Sequence, residues 1–278
     1  MNIEYDLRKL QLMQLEILDE VKRVCTKHNL TFYLAYGSCL GALRHKGFIP
    51  WDDDIDILMP VKDYDKLMKL SSEFSEKFFL QNADTDPEFL CAIARVRMNN
   101  TACVEQKDLD LKCHQGIFLD IYPQYQYPNG FFQRIKIIYS SIAYRVLLGN
   151  RPPQNHGNII KILGNILLAF LLIGGRKKRL NQLYKNLRLY TNTEYVADLY
   201  GMDLTLTRVI KYKSSWFQKP KWVQFEGREM PIPSNADAYM TERYGDYMKM
   251  PPKEKQKSYH TYAYVDFENE YNGMPMNE

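Results

Sequence analysis

The chain has 278 residues, 45% of them hydrophobic, enough to bury a sizeable core as one large domain or as a domain with a substantial insertion. Its net charge is only +4, and its five cysteines (Cys25, Cys39, Cys91, Cys103 and Cys113) form an odd set without a C-x-x-C pair, which argues against a disulfide framework and against a zinc site. The charged N-terminus lacks the apolar stretch and cleavage site of a signal peptide, so a reducing cytoplasm is the expected setting.

In chain order, Leu7, Leu10, Ile17, Leu18, Val21 and Val24 approximate a helical stripe and predict a helix over residues 6–28, with Asn29 as its stop. "TFYLAYGS" (31–38) reads as a strand, "CLGALRHKG" (39–47) as a turn or short helix, and "DDIDILMP" (53–60) as a second strand. "VKDYDKLMKLSSEF" (61–74) reads as a helix, and "FFLQN", "AIARVRMNN" and "GIFLDIYP" as further strands. The expected class is α/β (α+β), a mixed β-sheet flanked by helices. Its middle is different in composition. From Ile121 to Thr193 there is no Asp or Glu, yet Arg134, Lys136, Arg145, Arg151, Lys161, Arg176, Lys177, Lys178, Arg179, Lys185 and Arg188 all fall there.

Within that basic middle, "FFQRIKIIYSSIAYRVLLG" and "ILGNILLAFLLIGG" read as two apolar helices separated by "NRPPQNHG". The second, charge-free run has 14 residues, short of the roughly 20 that a bilayer span needs. The pair is either buried against the sheet or lies at a membrane surface, with its lysines and arginines near anionic headgroups; the second reading is favoured. Long aliphatic runs argue against nucleic acid as the partner of these charges. Near the C-terminus, "RYGDYMKMPP" (243–252) predicts a helix end at Gly245 followed by a loop, and "FENEYNGMPMNE" a loose tail. The expected organisation is a catalytic core over 1–125, a basic apolar helical insertion over 126–193, and a C-terminal segment, 194–278, that completes the domain.

The chemistry concentrates in "GFIPWDDDIDILMP" (47–60). In a strand, Asp52, Asp54 and Asp56 share one face at a spacing of about 7 Å, Ile55 and Ile57 face the core, and Asp53 falls in the preceding turn. Carboxylates so close repel and raise one another's pKa, a cost that a bound divalent cation removes. Two blander readings compete: turn and edge acids facing solvent, and a calcium loop with Asp63 at its twelfth position, which fails because its sixth position is Ile57 rather than glycine. Upstream, "YGS" (36–38) allows backbone N–H groups and a hydroxyl to approach an anion. Among nearby bases Arg44 is the first choice for phosphate, while Arg95 and Arg97 serve equally well as solvent-facing strand residues. His45 and His260 are assigned no proton-transfer role, and the 21 tyrosines are not read as an aromatic cage.

A Gly-Ser turn upstream of D-x-D resembles the active-site signature of the nucleotidyltransferase fold. That fold needs a third acid on a later strand, for which Asp120 in "HQGIFLDIYP" is the candidate. Over "YGSCLGALRHKGFIPWDDDIDILMP", "HQGIFLDIYP" and "YGDYMKMPP" the chain resembles the LicD family of phosphotransferases. The resemblance implies transfer of a phosphorylated alcohol, phosphocholine from CDP-choline first and ribitol or glycerol phosphate as alternatives, to a sugar of lipopolysaccharide, teichoic acid or a lipid-linked precursor. It also implies Mg2+, with Mn2+ as the alternative, held by Asp54, Asp56 and Asp120 with Asp52 as an additional neighbour, and donor phosphates at Gly37, Ser38 and Arg44. Asp120 would orient or deprotonate the acceptor hydroxyl. A cytoplasmic enzyme peripheral at the inner face of the cytoplasmic membrane is expected, with no nucleic-acid partner. A nucleotidyl transferase and a non-catalytic calcium-binding module are the rival classes.

Overall fold

A computed structural model describes residues 3–149, 157–202 and 209–273. In chain order the elements are α1 (Leu7–Lys27), β1 (Tyr33–Leu34), α2 (Tyr36–His45), β2 (Asp56–Pro60), α3 (Val61–Leu67), β3 (Phe78–Gln81), β4 (Ala94–Met98), β5 (Ala102–Glu105) and β6 (Phe118–Tyr127). There follow α4 (Phe131–Gly149), α5 (Gly157–Leu172), α6 (Arg176–Leu187), β7 (Tyr195–Asp198), β8 (Tyr212–Lys213), β9 (Lys221–Phe225), β10 (Arg228–Ile232), α7 (Ala236–Tyr244) and β11 (Tyr262–Asp266). The α/β class with helices flanking a sheet is as expected, and the chain divides into two units.

The first unit comprises Met1–Phe89, Ile93–Tyr122 and Lys219–Glu278. Its helix α1 starts where the Asp6 carboxylate accepts a hydrogen bond from Lys9 N, a side-chain cap for an otherwise orphaned donor. It stops at Asn29, whose φ of 51° is left-handed and ends helical propagation. Leu10, Ile17, Leu18, Val21 and Val24 are fully buried along one stripe. The sheet runs in the order β1-β2-β6-β4-β3, and β4 lies antiparallel to β6 with Arg95 opposite Asp120. Strands β9 and β10 form a separate hairpin, and β11 pairs with β5.

Four local expectations change. The strand expected over 31–38 shrinks to Tyr33–Leu34, because Tyr36, Gly37 and Ser38 form the first turn of α2. Strand β2 begins at Asp56, and residues 52–55 ahead of it belong to no strand or helix. The helix expected over 61–74 ends at Leu67. The segment after Asp266 is no loose tail as far as Gly273: the Asp266 carboxylate accepts from Glu268 N and Asn269 N, and Tyr271 donates to Leu109 O. Residues 274–278 lie outside the described chain, as do residues 150–156 of the expected interhelical linker.

The second unit comprises Leu90–Ala92 and Pro123–Gln218. The later half of β6 pairs antiparallel with β7, and β7 with β8. Helices α4, α5 and α6 meet around Ala143, Leu147, Leu171 and Leu183, with Leu167, Leu168 and Leu180 packed against them. The Arg176 guanidinium donates to Leu147 O (3.1 Å) and Leu148 O (2.9 Å), occupying carbonyls that the end of α4 leaves without helical partners. No helix among the described residues is long and apolar enough to cross a membrane.

Helix α2 approaches the segment leading to the aspartates through Gly41, where a Cβ would stand 2.4 Å from Gly47 O and 3.1 Å from Ile49 N. Backbone cannot yield as a side chain can. Gly41→Ala, ordinarily favourable by up to about 1 kcal/mol in a helix interior, is therefore expected to destabilise by roughly 1–3 kcal/mol; urea denaturation with the sign of the change as readout checks this.

Candidate active site

The aspartate-rich segment is held through its backbone. Gln11 and Gln14 on α1 donate to Asp52 O (2.9 Å) and Asp53 O (2.8 Å), and Asp120 N donates to Ile55 O (3.0 Å). Asp56 N donates to Ser38 Oγ (2.9 Å), and Asp56 O accepts from Ala35 N (2.9 Å). With these groups satisfied, residues 52–55 are held in place without belonging to the sheet. Asp53 and Ile55 are fully buried, while Asp52, Asp54 and Asp56 act on one another's ionisation.

Burial first, then the charges of Asp54 and Asp53, push the Asp52 carboxyl up to about 8. A hydrogen bond between the Asp52 and Asp54 carboxyls acts in the same direction. Asp54 rises to about 6 through burial, opposed by His260 and reinforced by Asp53 and Asp120. Asp56, 7% exposed, is raised well above the ordinary range by burial and then by Asp54, Asp120 and Asp52. Asp56 Oδ1 and Asp52 Oδ2 are buried and find no hydrogen-bond partner among the described residues. Buried carboxylate oxygens without donors are costly, and hard oxygen donors in a charge-rich cluster suit Mg2+ or Mn2+. These residues fit a divalent cation.

Asp53 departs from the expected turn position. Its carboxylate is fully buried and accepts from Tyr5 Oη (3.2 Å), from Ser258 Oγ and from His260 Nδ1 (3.0 Å), tying the N-terminal segment to the approach to β11. His260, to which the sequence gives no proton-transfer role, enters the cluster. Burial would lower its pKa, but the hydrogen bond with Asp53 and the charge of Asp54 outweigh that and raise it to about 9. Its Nε2 lies 3.9 Å from Asp54 Oδ2. Ligand-type atoms of Asp53, Asp54 and His260 come within 4.8 Å of one another; because Asp53 is already occupied, Asp54 is the member left to face a cation, with His260 orienting it. A histidine between tyrosines in "SYHTYAYVD" carries no spacing signal that would have revealed this.

Asp120, 4% exposed, receives Arg95 Nε at 2.6 Å, and the same guanidinium reaches Glu105 at 3.5 Å and covers the Phe118 ring at 4.0 Å. Arg95 and Arg97 are thus not the solvent-facing strand residues considered above. Arg97, 3% exposed, donates to Gln81 Oε1 (2.5 Å) and Gly116 O (2.6 Å), and burial lowers its pKa to about 10. The cross-strand alignment of Arg95 with Asp120 puts both charges on one buried face, where pairing offsets desolvation.

Gly37 and Ser38 occupy the first turn of α2, whose leading N–H groups lack helical acceptors. A Cβ on Gly37 would meet Asp52 Oδ2 at 2.7 Å, so glycine permits the acidic cluster to close on this helix end. Tyr36 before it holds a left-handed φ of 43°, a strained backbone of the kind that concentrates at functional sites. The Tyr36 ring lies under the Arg243 guanidinium at 4.1 Å, and Arg243 favours the ionised form of Asp56. Arg44 has a different position: its guanidinium donates to Tyr247 O and, at 3.3 Å, to Lys249 O, clasping the loop after α7.

Residues 29–142 match the family model described as LicD/FKTN/FKRP, nucleotidyltransferase domain. The chain is 29% identical over 268 residues to lipopolysaccharide cholinephosphotransferase LicD of Haemophilus influenzae, covering 91% of this chain and 96% of that protein. A shorter similarity, 33% over 61 residues, joins it to an uncharacterized protein of Rickettsia prowazekii, covering 22% of this chain and 23% of that one.

The ionisation of this cluster sets a pH dependence. Asp52 and Asp54 bind protons more tightly folded than unfolded, so the cation-free protein loses stability as pH rises from about 4 to 6 through Asp54 and on to about 8 through Asp52. His260 contributes stability fully present below about 6.5 and lost as pH rises through about 9. Thermal melts in chelator are expected to fall steadily from pH 5 to pH 9. Asp53→Asn should flatten the limb between 6.5 and 9 and cost roughly 3–5 kcal/mol at neutral pH, since it breaks a buried pair; an unchanged melt profile would overturn the assignment.

Proposed function

Because residues 29–142 match the LicD/FKTN/FKRP nucleotidyltransferase-domain model, we propose that the chain transfers phosphocholine from CDP-choline to a sugar hydroxyl of lipopolysaccharide or of its lipid-linked precursor, at the cytoplasmic face of the membrane. The observation that carries this reading is the desolvated trio Asp52, Asp54 and Asp56, two of whose oxygens find no hydrogen-bond partner among the described residues, closed against the first turn of α2. The similarity to a lipopolysaccharide cholinephosphotransferase over nearly the whole of both chains supports the choice of alcohol and acceptor.

Asp54 and Asp56 would hold Mg2+ or Mn2+, with Asp52 beside them and Asp120 completing the acidic set. Bound there, the cation would neutralise charge on the donor diphosphate and on the departing CMP. The N–H groups of Gly37 and Ser38 and the Ser38 O–H are donors suited to a phosphate oxygen. Ser38 also fixes Asp56 by accepting its N–H. Arg243 supplies positive charge on the Asp56 side, a more direct role than Arg44, which is engaged with loop carbonyls. Asp120, gripped by Arg95, orients the acceptor hydroxyl. A bond forms from the sugar oxygen to the distal phosphorus, the bond to the CMP oxygen breaks, and the hydroxyl proton leaves through Asp120 or solvent.

Incubation with CDP-choline, Mg2+ and a lipopolysaccharide acceptor is expected to release CMP and place phosphocholine on the acceptor, with CDP-ribitol and CDP-glycerol as slower donors. Asp54→Asn and Asp56→Asn should each reduce turnover roughly a thousandfold, the several kcal/mol that such a cation supplies. Neither should lower the apoprotein's stability, since each removes charge from a repelling cluster. Nucleotide retained on the product would identify a nucleotidyl transferase, and full turnover in excess chelator would exclude the cation.

A further inference from the structure

Helix α5 presents two apolar faces. One, with Leu167, Leu168 and Leu171, packs into the core of the second unit. On the other, Ile162, Ile166 and Phe170 recur every fourth residue beside Leu163, and Ile173 extends the line past the helix end; all five are 58–67% exposed. Side chains four apart share a helix face, so this is one stripe, and a stripe of large aliphatic and aromatic groups held in water marks a contact surface.

Its electrostatic setting identifies the occupant. Gly174 and Gly175, both at positive φ, turn the chain straight into α6, so Ile173 stands four residues before Lys177. Along α6, Lys177, Lys178 and Lys185, with Asn181 and Gln182, line an open hollow of about 530 Å3, and the whole span from Ile121 to Thr193 contains no Asp or Glu. A second copy meeting the first through this same face would bring like charges together without acids to pair them. A nucleic-acid backbone would satisfy the lysines and leave the apolar stripe in water. An anionic bilayer satisfies both, with acyl chains for the stripe and headgroup phosphates for the lysines.

We infer that the second unit docks on the surface of anionic phospholipid bilayers, with the Ile162–Ile173 stripe entering the headgroup–acyl boundary and the lysine face of α6 contacting the lipid phosphates. Sixteen residues of α5 extend about 24 Å, short of the roughly 30 Å hydrocarbon core, so the helix lies along the interface rather than across it. Arg176 is not part of the docking face, because it is engaged with the carbonyls of α4. The docking is separate from the chemistry at the acidic cluster and is read without turnover.

The test is flotation of the full chain with vesicles of phosphatidylcholine alone or mixed with phosphatidylglycerol. Binding is expected to the anionic vesicles at low salt, to weaken in 0.5 M salt, and to be slight on neutral ones. Phe170→Ser should weaken it by at least about tenfold, from lost apolar burial. Lys177→Gln with Lys178→Gln and Lys185→Gln should weaken it on the order of a hundredfold, at about fivefold per lysine near the surface. CDP-choline turnover on a soluble acceptor should be unchanged in both, which separates failure of docking from failure of the assigned reaction. Absence of wild-type binding to anionic vesicles at low salt would overturn the inference without recourse to any variant. So would salt-sensitive binding indifferent to Phe170→Ser, which points to a polyanion site, or a dimer in sedimentation that Phe170→Ser dissolves without any vesicle binding.

Discussion

Negative charge out of water is the constraint around which the first unit is organised. Asp52, Asp53, Asp54 and Asp56 stand within five positions, and Asp120 joins them across the sheet through its N–H to Ile55. Each carboxylate loses hydration, and each ionised neighbour makes the next ionisation harder. Such a segment would spring apart if its conformation depended on those side chains. It depends instead on backbone bonds: Gln11 and Gln14 of α1 grip two carbonyls from one side, while Ser38 and Ala35 take the N–H and carbonyl of Asp56 from the other. The fold thereby fixes the carboxylates in position and leaves oxygens of Asp52 and Asp56 without donors among the described residues.

Two cations each pair with one of the five acids. His260 pairs with Asp53, and Arg95 pairs with Asp120, so the flanking acids are balanced by the protein. The Asp53–His260 pair also brings the approach to β11 onto the acidic segment, which explains why a strand so late in the chain belongs to the same unit as residues 52–56. That leaves Asp52, Asp54 and Asp56, whose carboxyls are all pushed upward by burial and by neighbouring negative charge. Electrostatics act differently in the second unit. There the charge is positive, exposed and interleaved with apolar side chains, an arrangement that serves a surface rather than a pocket.

Much of this was legible in the chain itself. The alternation of aspartate with isoleucine in "DDIDILMP" encodes which side chains are buried and which converge, because an extended backbone has a period of two whether or not it is hydrogen-bonded into a sheet. The stripe of α1, the acid-free middle and the similarity of "YGSCLGALRHKGFIPWDDDIDILMP" to one family are likewise properties of order along the chain. Even the boundary errors are physical. Tyr36, Gly37 and Ser38 read as strand because tyrosine and the preceding β-formers favour extension, yet the Ser38–Asp56 bond and the close packing of Gly37 on Asp52 place them in a helix.

Sequence alone thus determined the class of fold, the acidic motif and the position of its aspartates by parity, because those depend on local periodicity. Tertiary structure decided which aspartate is a support and which is free, that Arg95 neutralises Asp120, that Arg44 holds a loop, and that His260 enters the site. Those assignments rest on pairings between residues as far apart as 207 positions, the separation of His260 from Asp53, and no local pattern encodes which of several like side chains a distant partner will meet.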